Sequence, residues 1–552
     1  MKSISKEAID HSRILSALLF LITLLFLASA NASKLSDGDF SESLQTINVK
    51  SFKTKQKAIE AFSVLEDDRV LPVLKALSKA ELYYRKSDKT IVYANKKDSL
   101  YKITDAITGE SYGEVKKNKI KKVKINNKLR RILRAAIANL SLGSSDVSVR
   151  INALNEVLKQ IDEDSIKLLK SRKEKETDAD ALQVINIGLS LYALDNGEKK
   201  QRLEAIEFLS DTVNPEARKK LAVLLVKEND QYLEQDKDVR VAAKKAIKNI
   251  ENNVELIGIV ETTFFGLSLG SVLVLSAIGL AITFGVMGVI NMAHGELMMI
   301  GAYTTYVIQL LMPNHIDMSL FVAVPAAFVV SGLFGIAIER GVIRHLYGRP
   351  LETLLATFGI SLILQQLVRS IFSPLNRSVE TPSWMSGSLE INSVLSLTYN
   401  RLYIIIFALL VFAILLMIMK KTSLGLQVRA VSQNRPMAKA MGIKTEWVDA
   451  LTFGLGSGIA GVAGVALSQL TNVGPNLGQT YIIDSFMVVV FGGVGNLWGT
   501  LVAGLSLGVA NKVLEPWSGA VLAKILVLIF IILFIQKKPR GLFPKKGRSA
   551  EN

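Results

Sequence analysis

Asn291, His294 and Glu296 stand together in a stretch of the chain that is otherwise apolar. Placing such a trio at a membrane boundary is costly, which makes a functional role the default expectation. On a helix, Asn291 and His294 share a face while Glu296 points well away, at about 100° per residue. The three therefore need not form one site. A purely structural reading competes: Asn291 caps a helix whose first turns hold Glu296, a favourable place for an acid. Farther on, Asp484 precedes Gly492, Gly493, Gly495 and Asn496 in a second apolar stretch. Glycines there allow a turn or a close backbone approach. The run lacks the lysine of a phosphate-binding loop, and no G-x-x-x-x-G-K-[ST] occurs anywhere, so the chain is not its own ATPase. Asn291, Gln365, Gln366, Asn472 and Asn496 have the chemistry to line a path for a small neutral amide.

Other chemistries are excluded. There is no cysteine, and the four histidines have no metal-ligand spacing, so neither thiol catalysis nor a metal site is expected. No nucleophile–base pair stands out. Acidic runs such as Asp67-Asp68 and Asp162-Glu163-Asp164 fit solvated turns and helix starts. The net charge of +17 is dispersed and lacks the basic stripe with interleaved aromatics of a nucleic-acid binder.

The elements that must position these residues fall into two halves. Residues 33–253 are rich in Lys, Glu and Asp, and residues 254–536 are dominated by apolar side chains and glycine. Runs of about 18 apolar residues can cross a bilayer. The candidate spans are 262–284, 293–312, 319–339, 352–372, 402–419, 448–470 and 519–536, with a glycine-broken stretch at 484–511. Positive charge collects at 340–349, 420–444 and 537–548, which should face the cytoplasm. That distribution requires 484–511 to go in and return; a single bent span is the competing reading. Gly266-x-x-x-Gly270, Gly454-x-x-x-Gly458 and Gly504-x-x-x-Gly508 suit tight helix packing.

The start of the chain reads as a secretory signal. Lys2, Lys6 and Arg13 precede an apolar run, and Ala30-Asn31-Ala32 gives a small-x-small cleavage pattern. Both this reading and an uncleaved anchor put residues 33–253 outside the cytoplasm. In that domain helical periodicity covers 52–83 and 129–250, with short strands at 90–93, 100–103 and 122–125 and turns at Thr108-Gly109 and Tyr112-Gly113. Val149-Arg150 with Ala153, Arg202 with Ala205, and Val239-Arg240 with Ala243 form a loose repeat resembling HEAT-like helix pairs; an ordinary helical bundle is the alternative. The expected chain is a signal peptide (1–32), a mainly helical HEAT-like domain with a small β-insert (33–253), an all-α polytopic membrane domain (254–545) and a cytoplasmic tail (546–552).

Several blocks resemble one family. GLAITFGVMGVINMAHGELMMIGAY (279–303) is similar to the first block of the branched-chain amino-acid type permeases of ABC importers. LLATFGISLILQ (354–365), SLGLQVRAVSQNRPMAKAMGIKTEWV (423–448), DSFMVVVFGGVGNLWGTLVAG (484–504) and KPRGLF (538–543) agree in order. The resemblance covers 254–545. Within the family, the added exported region and the form of 484–499 look most like the urea permease branch.

The resemblance implies a helical permease fold like that of vitamin importers, in an inner membrane. It implies a homologous second permease subunit, two cytoplasmic ATPases that use the ATP, and a periplasmic solute-binding protein. No cofactor binds this chain itself. It implies that Asn291, His294, Gly295, Glu296, Asp484, Gly492, Gly493, Gly495 and Asn496 belong to the path or its motifs. It also places Gly425, Arg429, Ala430, Asn434, Ala438 and Gly442 in an ATPase-docking loop. Leu424, Val428, Val431, Met437 and Met441 can form apolar faces on short helices there; a basic loop on anionic lipid is the plainer reading. The expected function is the permease subunit of an ATP-driven importer for urea or a related amide. A branched-chain amino-acid permease and a passive channel are the alternatives, and a sensor anchored by its spans is a weaker one.

Overall fold

The computed structural model describes residues 37–544 apart from 49–50, 64, 66, 68, 98–99, 160 and 393. The signal-like segment and the tail at 546–552 lie outside the described residues. The chain forms two compact units, one ending at Ile250 and the other starting at Glu251.

The first unit is mixed α/β: helices make up most of it, as expected, and the expected β-insert is a five-stranded antiparallel sheet. It opens with α1 (Asp37–Gln45), α2 (Phe52–Phe62) and α3 (Val70–Lys79). The helical pattern expected to run to residue 83 stops at Ala80, whose φ of 64° is left-handed and ends α3. Leu82 then starts a strand. Strands β1 (Leu82–Arg85), β2 (Ile91–Lys97), β3 (Leu100–Asp105), β4 (Ser111–Val115) and β5 (Ile120–Lys122) form an antiparallel sheet in the order β4-β3-β2-β1-β5. The Thr108-Gly109 turn is present: the Asp105 carboxylate accepts from the N–H groups of Ile107 (2.7 Å) and Thr108 (3.0 Å), and Gly109 takes φ +74°. Tyr112-Gly113 is not a turn. Thr104 pairs with Ser111 and Ile103 with Gly113, so Tyr112 is the extra residue of a bulge. Phe40, Ile59, Leu74, Leu77 and Leu82 fill the core beneath.

Six helices follow: α4 (Asn127–Leu142), α5 (Val147–Leu158), α6 (Glu163–Lys173), α7 (Ala179–Asn196), α8 (Lys199–Ser210) and α9 (Pro215–Val223). Asn126, Asp146, Asp162, Asp178 and Asn214 cap their starts through side-chain oxygens. The repeated arginines do similar work. Arg150 donates to the Ser144 and Ser145 carbonyls, both at 3.0 Å, and Arg240 to those of Glu234 (2.7 Å) and Gln235 (2.8 Å). Arg202 instead donates to the Leu194 carbonyl at 2.9 Å. Ala153, Ala205 and Ala243 are buried behind them.

The second unit is a helical bundle. Its helices are α10 (Lys237–Met287, which begins before the unit boundary), α11 (His294–Leu311), α12 (Ile316–Gly341), α13 (Pro350–Phe372) and α14 (Tyr399–Lys421), then the short α15 (Ser423–Gln433) and α16 (Arg435–Ala440). α17 (Thr445–Ser468), α18 (Leu477–Gly492), α19 (Leu497–Ser518) and α20 (Ala520–Lys537) complete it. Among the described residues, seven helices are long and apolar enough to cross a membrane: α10, α12, α13, α14, α17, α19 and α20. Six of the seven expected spans fall on these helices; the other, 293–312, coincides with α11, which is not among them. The expected broken stretch 484–511 is two helices, and the break between them is the glycine turn.

Glycine sets the packing. The α10 and α19 motifs pack on each other: a Cβ at Gly266 would lie 2.6 Å from Val509 Cα, and one at Gly270 2.7 Å from Leu505 Cα. Helix α17 is central. Its Gly456, Gly461 and Gly464 meet the backbones of α10, α12 and α11 in turn, where any added carbon would collide.

Polar contacts sort the loops into two ends of the bundle. At one end, Gln309 exchanges hydrogen bonds with the Glu380 backbone (2.8 and 2.9 Å) and Ser383 bonds to Asp317 (2.8 Å). There too, Arg377 and Val473 exchange backbone bonds and Arg369 donates to Asn476 (2.7 Å). At the other end, Arg344 pairs with Glu446 and Arg435 with Asp449. The basic clusters 340–349 and 420–444 thus share one end.

Candidate functional site

Helix α10 ends at Met287, and the chain does not simply turn at the bundle's edge. Gly288 takes φ +66°, and residues 288–293 run back into the interior. His294 Nε2 lies 2.9 Å from the Ser276 carbonyl of α10, about three turns before that helix ends. The Met292 N–H donates to Thr357 Oγ1 of α13 at 3.1 Å. Helix α11 therefore starts inside the bundle, which corrects the expectation of a membrane-boundary site. Asn291 does not cap α11 directly; Ala293 holds that position, and Asn291 Oδ1 accepts from the Ala293 N–H at 3.0 Å. Asn291 Nδ2 and His294 Nδ1 are buried without protein partners. With the Ser276 carbonyl as acceptor, His294 donates from Nε2.

Glu296 is 1% exposed. Its Oε1 accepts from Ser361 Oγ (3.0 Å) and Gln365 Nε2 (2.7 Å), while Oε2 has no protein partner. Asn291 precedes α11, so it shares no helix face with His294; His294 faces α10 and Glu296 faces α13, so those two point apart as expected. Of the supporting residues, sequence reasoning names Gln365 and misses Thr357 and Ser361, yet Thr353, Thr357, Ser361 and Gln365 recur at steps of four in an apolar segment, the pattern of a polar stripe along one helix face. Gly295 meets the start of α18: a Cβ on it would lie 2.5 Å from the Gly478 carbonyl. Two helix starts thus meet beside a buried carboxylate. Gln366 is exposed on α13 and Asn472 in the loop before α18, so neither joins this group.

Asp484, where the expected broken stretch begins, does not open a helix. It lies in the middle of α18, which starts earlier, at Leu477, and it is compensated by an ion pair rather than by a helix end. Lys524 Nζ of α20 donates to Asp484 Oδ2 at 2.9 Å. A lysine inside the expected span 519–536 was the signal for this pair. Gly492, Gly493, Gly495 and Asn496 make the α18–α19 turn, where Gly493 (φ +103°) and Gly495 (φ +73°) take backbone angles that favour glycine. The KPRGLF segment closes on this turn. The N–H groups of Leu542 and Phe543 donate to the Phe491 (2.9 Å) and Gly492 (3.2 Å) carbonyls. Asn496 caps α19 and donates to the Phe543 carbonyl at 3.1 Å.

The loop expected to dock an ATPase forms α15 and α16. Gly425 packs on the end of α14, and Arg429 donates to the Met419 carbonyl there. Asn434 caps α16, Ala438 is buried with Val428, Val431 and Val448, Ala430 is half-buried against them, and Gly442 (φ +84°) turns the chain out. Met437 and Met441, named as apolar-face residues of the short helices, are exposed, as is Leu426, while Val428 and Val431 are buried. The inner face of the loop is thus built from the smaller residues, and the larger ones face outward.

Residues 262–535 match the family described as the permease component of branched-chain amino acid transport systems. The chain is similar to the high-affinity branched-chain amino acid permease protein LivH of Salmonella typhimurium, with 34% identity over 290 residues, 50% of this chain and 93% of the relative. It is 30% identical to BraD of Pseudomonas aeruginosa over 50% of this chain and 93% of that one. It is 25% identical to a probable LivH of Methanocaldococcus jannaschii over 49% and 88%. The helical bundle, its glycine contacts and these matches coincide in the second unit. The chain belongs to the branched-chain amino acid transport permease family, whose members are transport subunits of ABC importers and leave ATP hydrolysis to partner ATPases.

Proposed function

We propose that this chain is the permease subunit of an ATP-driven importer of a small amino acid, and that the start of α11 borders the solute path. The observation that carries this reading is the interrupted helix. Where α10 stops and α11 starts inside the bundle, a carboxylate with an unpartnered oxygen, a buried imidazole and two helix starts come together. Polar groups at such depth are costly and mark solute pathways, and interrupted helices are how transporters place them. An amino acid brings an ammonium for Glu296 and a carboxylate that suits helix starts. The relatives' printed substrates agree with that chemistry.

We read residues 33–253 as periplasmic, behind a signal ending at Ala32; the grouping of basic residues at the loops expected in the cytoplasm supports this reading. The helices of this unit would stack in HEAT-like fashion, as the shared bonds of Arg150 and Arg240 suggest. The partners are a homologous permease subunit, two ATPases and a binding protein. Leu426, Met437 and Met441 form the face offered to an ATPase.

Urea import is the second reading. It is favoured by the first unit, which lies outside the match to the relatives, and by the form of 484–499. Uptake of labelled leucine and labelled urea in cells with and without this gene decides between the two. Loss of leucine uptake alone supports the first reading, and loss of urea uptake alone overturns it.

A further inference from the structure

The first unit carries a surface of one charge sign. Between Glu114 and Asp146 the sequence has ten Lys and Arg and no acid. These cations run from Lys116 to Arg134 across a short 3-10 turn (Lys117–Lys119), β5 and the first turns of α4, and all are exposed. Seven are lysines. Among the described residues, no carboxylate lies within ion-pair distance of Lys117, Lys119, Lys121 or Lys122. Arg131 does act on the Asp162 carboxylate, so the lysines of the turn and edge strand are the core of the patch.

A lysine or two would suffice to guard a sheet edge from pairing. Ten cations over three successive elements exceed that need. They include Arg130 and Arg134, one helical turn apart in α4, where like charges are destabilising. We propose that this surface docks on the anionic phospholipid headgroups of the bilayer in which the chain is itself inserted.

Three observations favour lipid over a protein partner. Lysine is a hydrated point charge suited to a diffuse anionic surface, whereas protein interfaces are depleted in it. No acid is interspersed to fix the register of a complementary partner. The unit ends at Ile250 and the apolar span begins at 262, so the unit is covalently joined to a membrane-spanning one and meets lipid at a raised effective concentration. The proposal needs only that the second unit is in a membrane and is independent of the transported solute.

The chain has no cysteine, so a single label is unambiguous. The exposed Asn118→Cys, inside the patch, carries a fluorophore on the full-length protein in nanodiscs whose lipid headgroups bear a quencher. Quenching is expected in phosphatidylglycerol discs and not in phosphatidylcholine discs. It should vanish at about 1 M salt, where screening acts within ~3 Å. Changing Lys117, Lys119, Lys121 and Lys122 together to Gln should abolish it, and changing the same four to Arg should preserve it, which separates charge loss from misfolding. Equal quenching in both lipids, none in either, or quenching that survives the Gln variant would overturn the proposal. Shielding of the label by the purified solute-binding protein in phosphatidylcholine discs would also overturn it, making the patch a protein-docking surface.

Discussion

Glu296 spends one carboxylate oxygen on holding α11 to α13 and keeps the other free, so its two oxygens can be tested apart. Glu296→Gln retains an acceptor for Ser361 and removes the charge. We expect this variant to insert normally and to lose at least about tenfold in uptake, equivalent to ~1.4 kcal/mol. Normal uptake at normal expression would show that the carboxylate serves structure alone. Glu296→Ala should also destabilise the bundle, by roughly 1–3 kcal/mol for each orphaned polar group. In the first unit, Glu176 is buried and accepts from Arg150 at 2.9 Å. Its carboxyl is pulled down to about 2, first by the Arg150 bonds and then by Arg172 and two backbone N–H groups, against burial, which raises it. A depressed acid contributes stability above its unfolded value near 4.5 and loses it as pH falls toward the folded value. Protease resistance of this unit in the full-length protein should therefore fall between pH ~4.5 and ~2. Glu176→Gln should flatten that dependence, and an unchanged profile would remove Glu176 from the account.

Helices α18 and α19 form a hairpin whose tip is the glycine turn and whose far ends are Leu477 and Ser518. The hairpin agrees with the charge distribution, because it returns the chain to its starting side. Ser485 is fully buried and Asn511 nearly so, which makes both poor labelling positions. Val494 at the tip and Trp517 at the far end are exposed. Trp517→Cys should label from outside with an impermeant reagent, and Val494→Cys only after the cytoplasmic face is opened. The opposite pattern would overturn the assigned orientation. Packing also changes what glycine substitutions should do. Gly493→Val meets the Phe543 carbonyl at 2.7 Å and a left-handed φ, but Gly266→Val meets Val509 Cα at 2.6 Å. Both should impair folding, so Gly266 is no neutral control. Gly258 faces open space and is the better one. Lys524→Met should cost about 3 kcal/mol by leaving Asp484 unpaired, and Asp484→Asn in that background should recover much of it. Additive losses in thermal stability would deny the coupling.

For the whole molecule, apolar run length and lysine placement made the spans and their loops legible, because a bilayer imposes both on sequence. The fine positions of the ends were not legible. α18 starts behind Gly474-Pro475-Asn476, a turn signal overshadowed by the glycines that follow, and so Asp484 was displaced to a helix start. β1 was hidden because helical periodicity continues through Ala80, whose left-handed conformation no pattern announces. The depth of Asn291 was likewise invisible, since it depends on Thr357 and Ser276 in other helices. The docking loop was legible as a unit, but not which side faces out. We expect Met437→Glu to reduce ATPase co-purification while leaving insertion intact. Arg429→Glu should act less directly, by loosening α15 from α14, and its retention of the ATPase would distinguish the two. The closure of residues 541–543 over the glycine turn has a consequence for biogenesis. The hairpin is synthesised before the segment that satisfies its Phe491 and Gly492 carbonyls. Until residues 542 and 543 have been made and have folded back, the turn lacks the partners of these two carbonyls. A stop codon after Lys538 should therefore yield a protein that inserts every helix and is then cleared by membrane proteases, a fate that pulse-chase labelling would reveal as a shortened half-life.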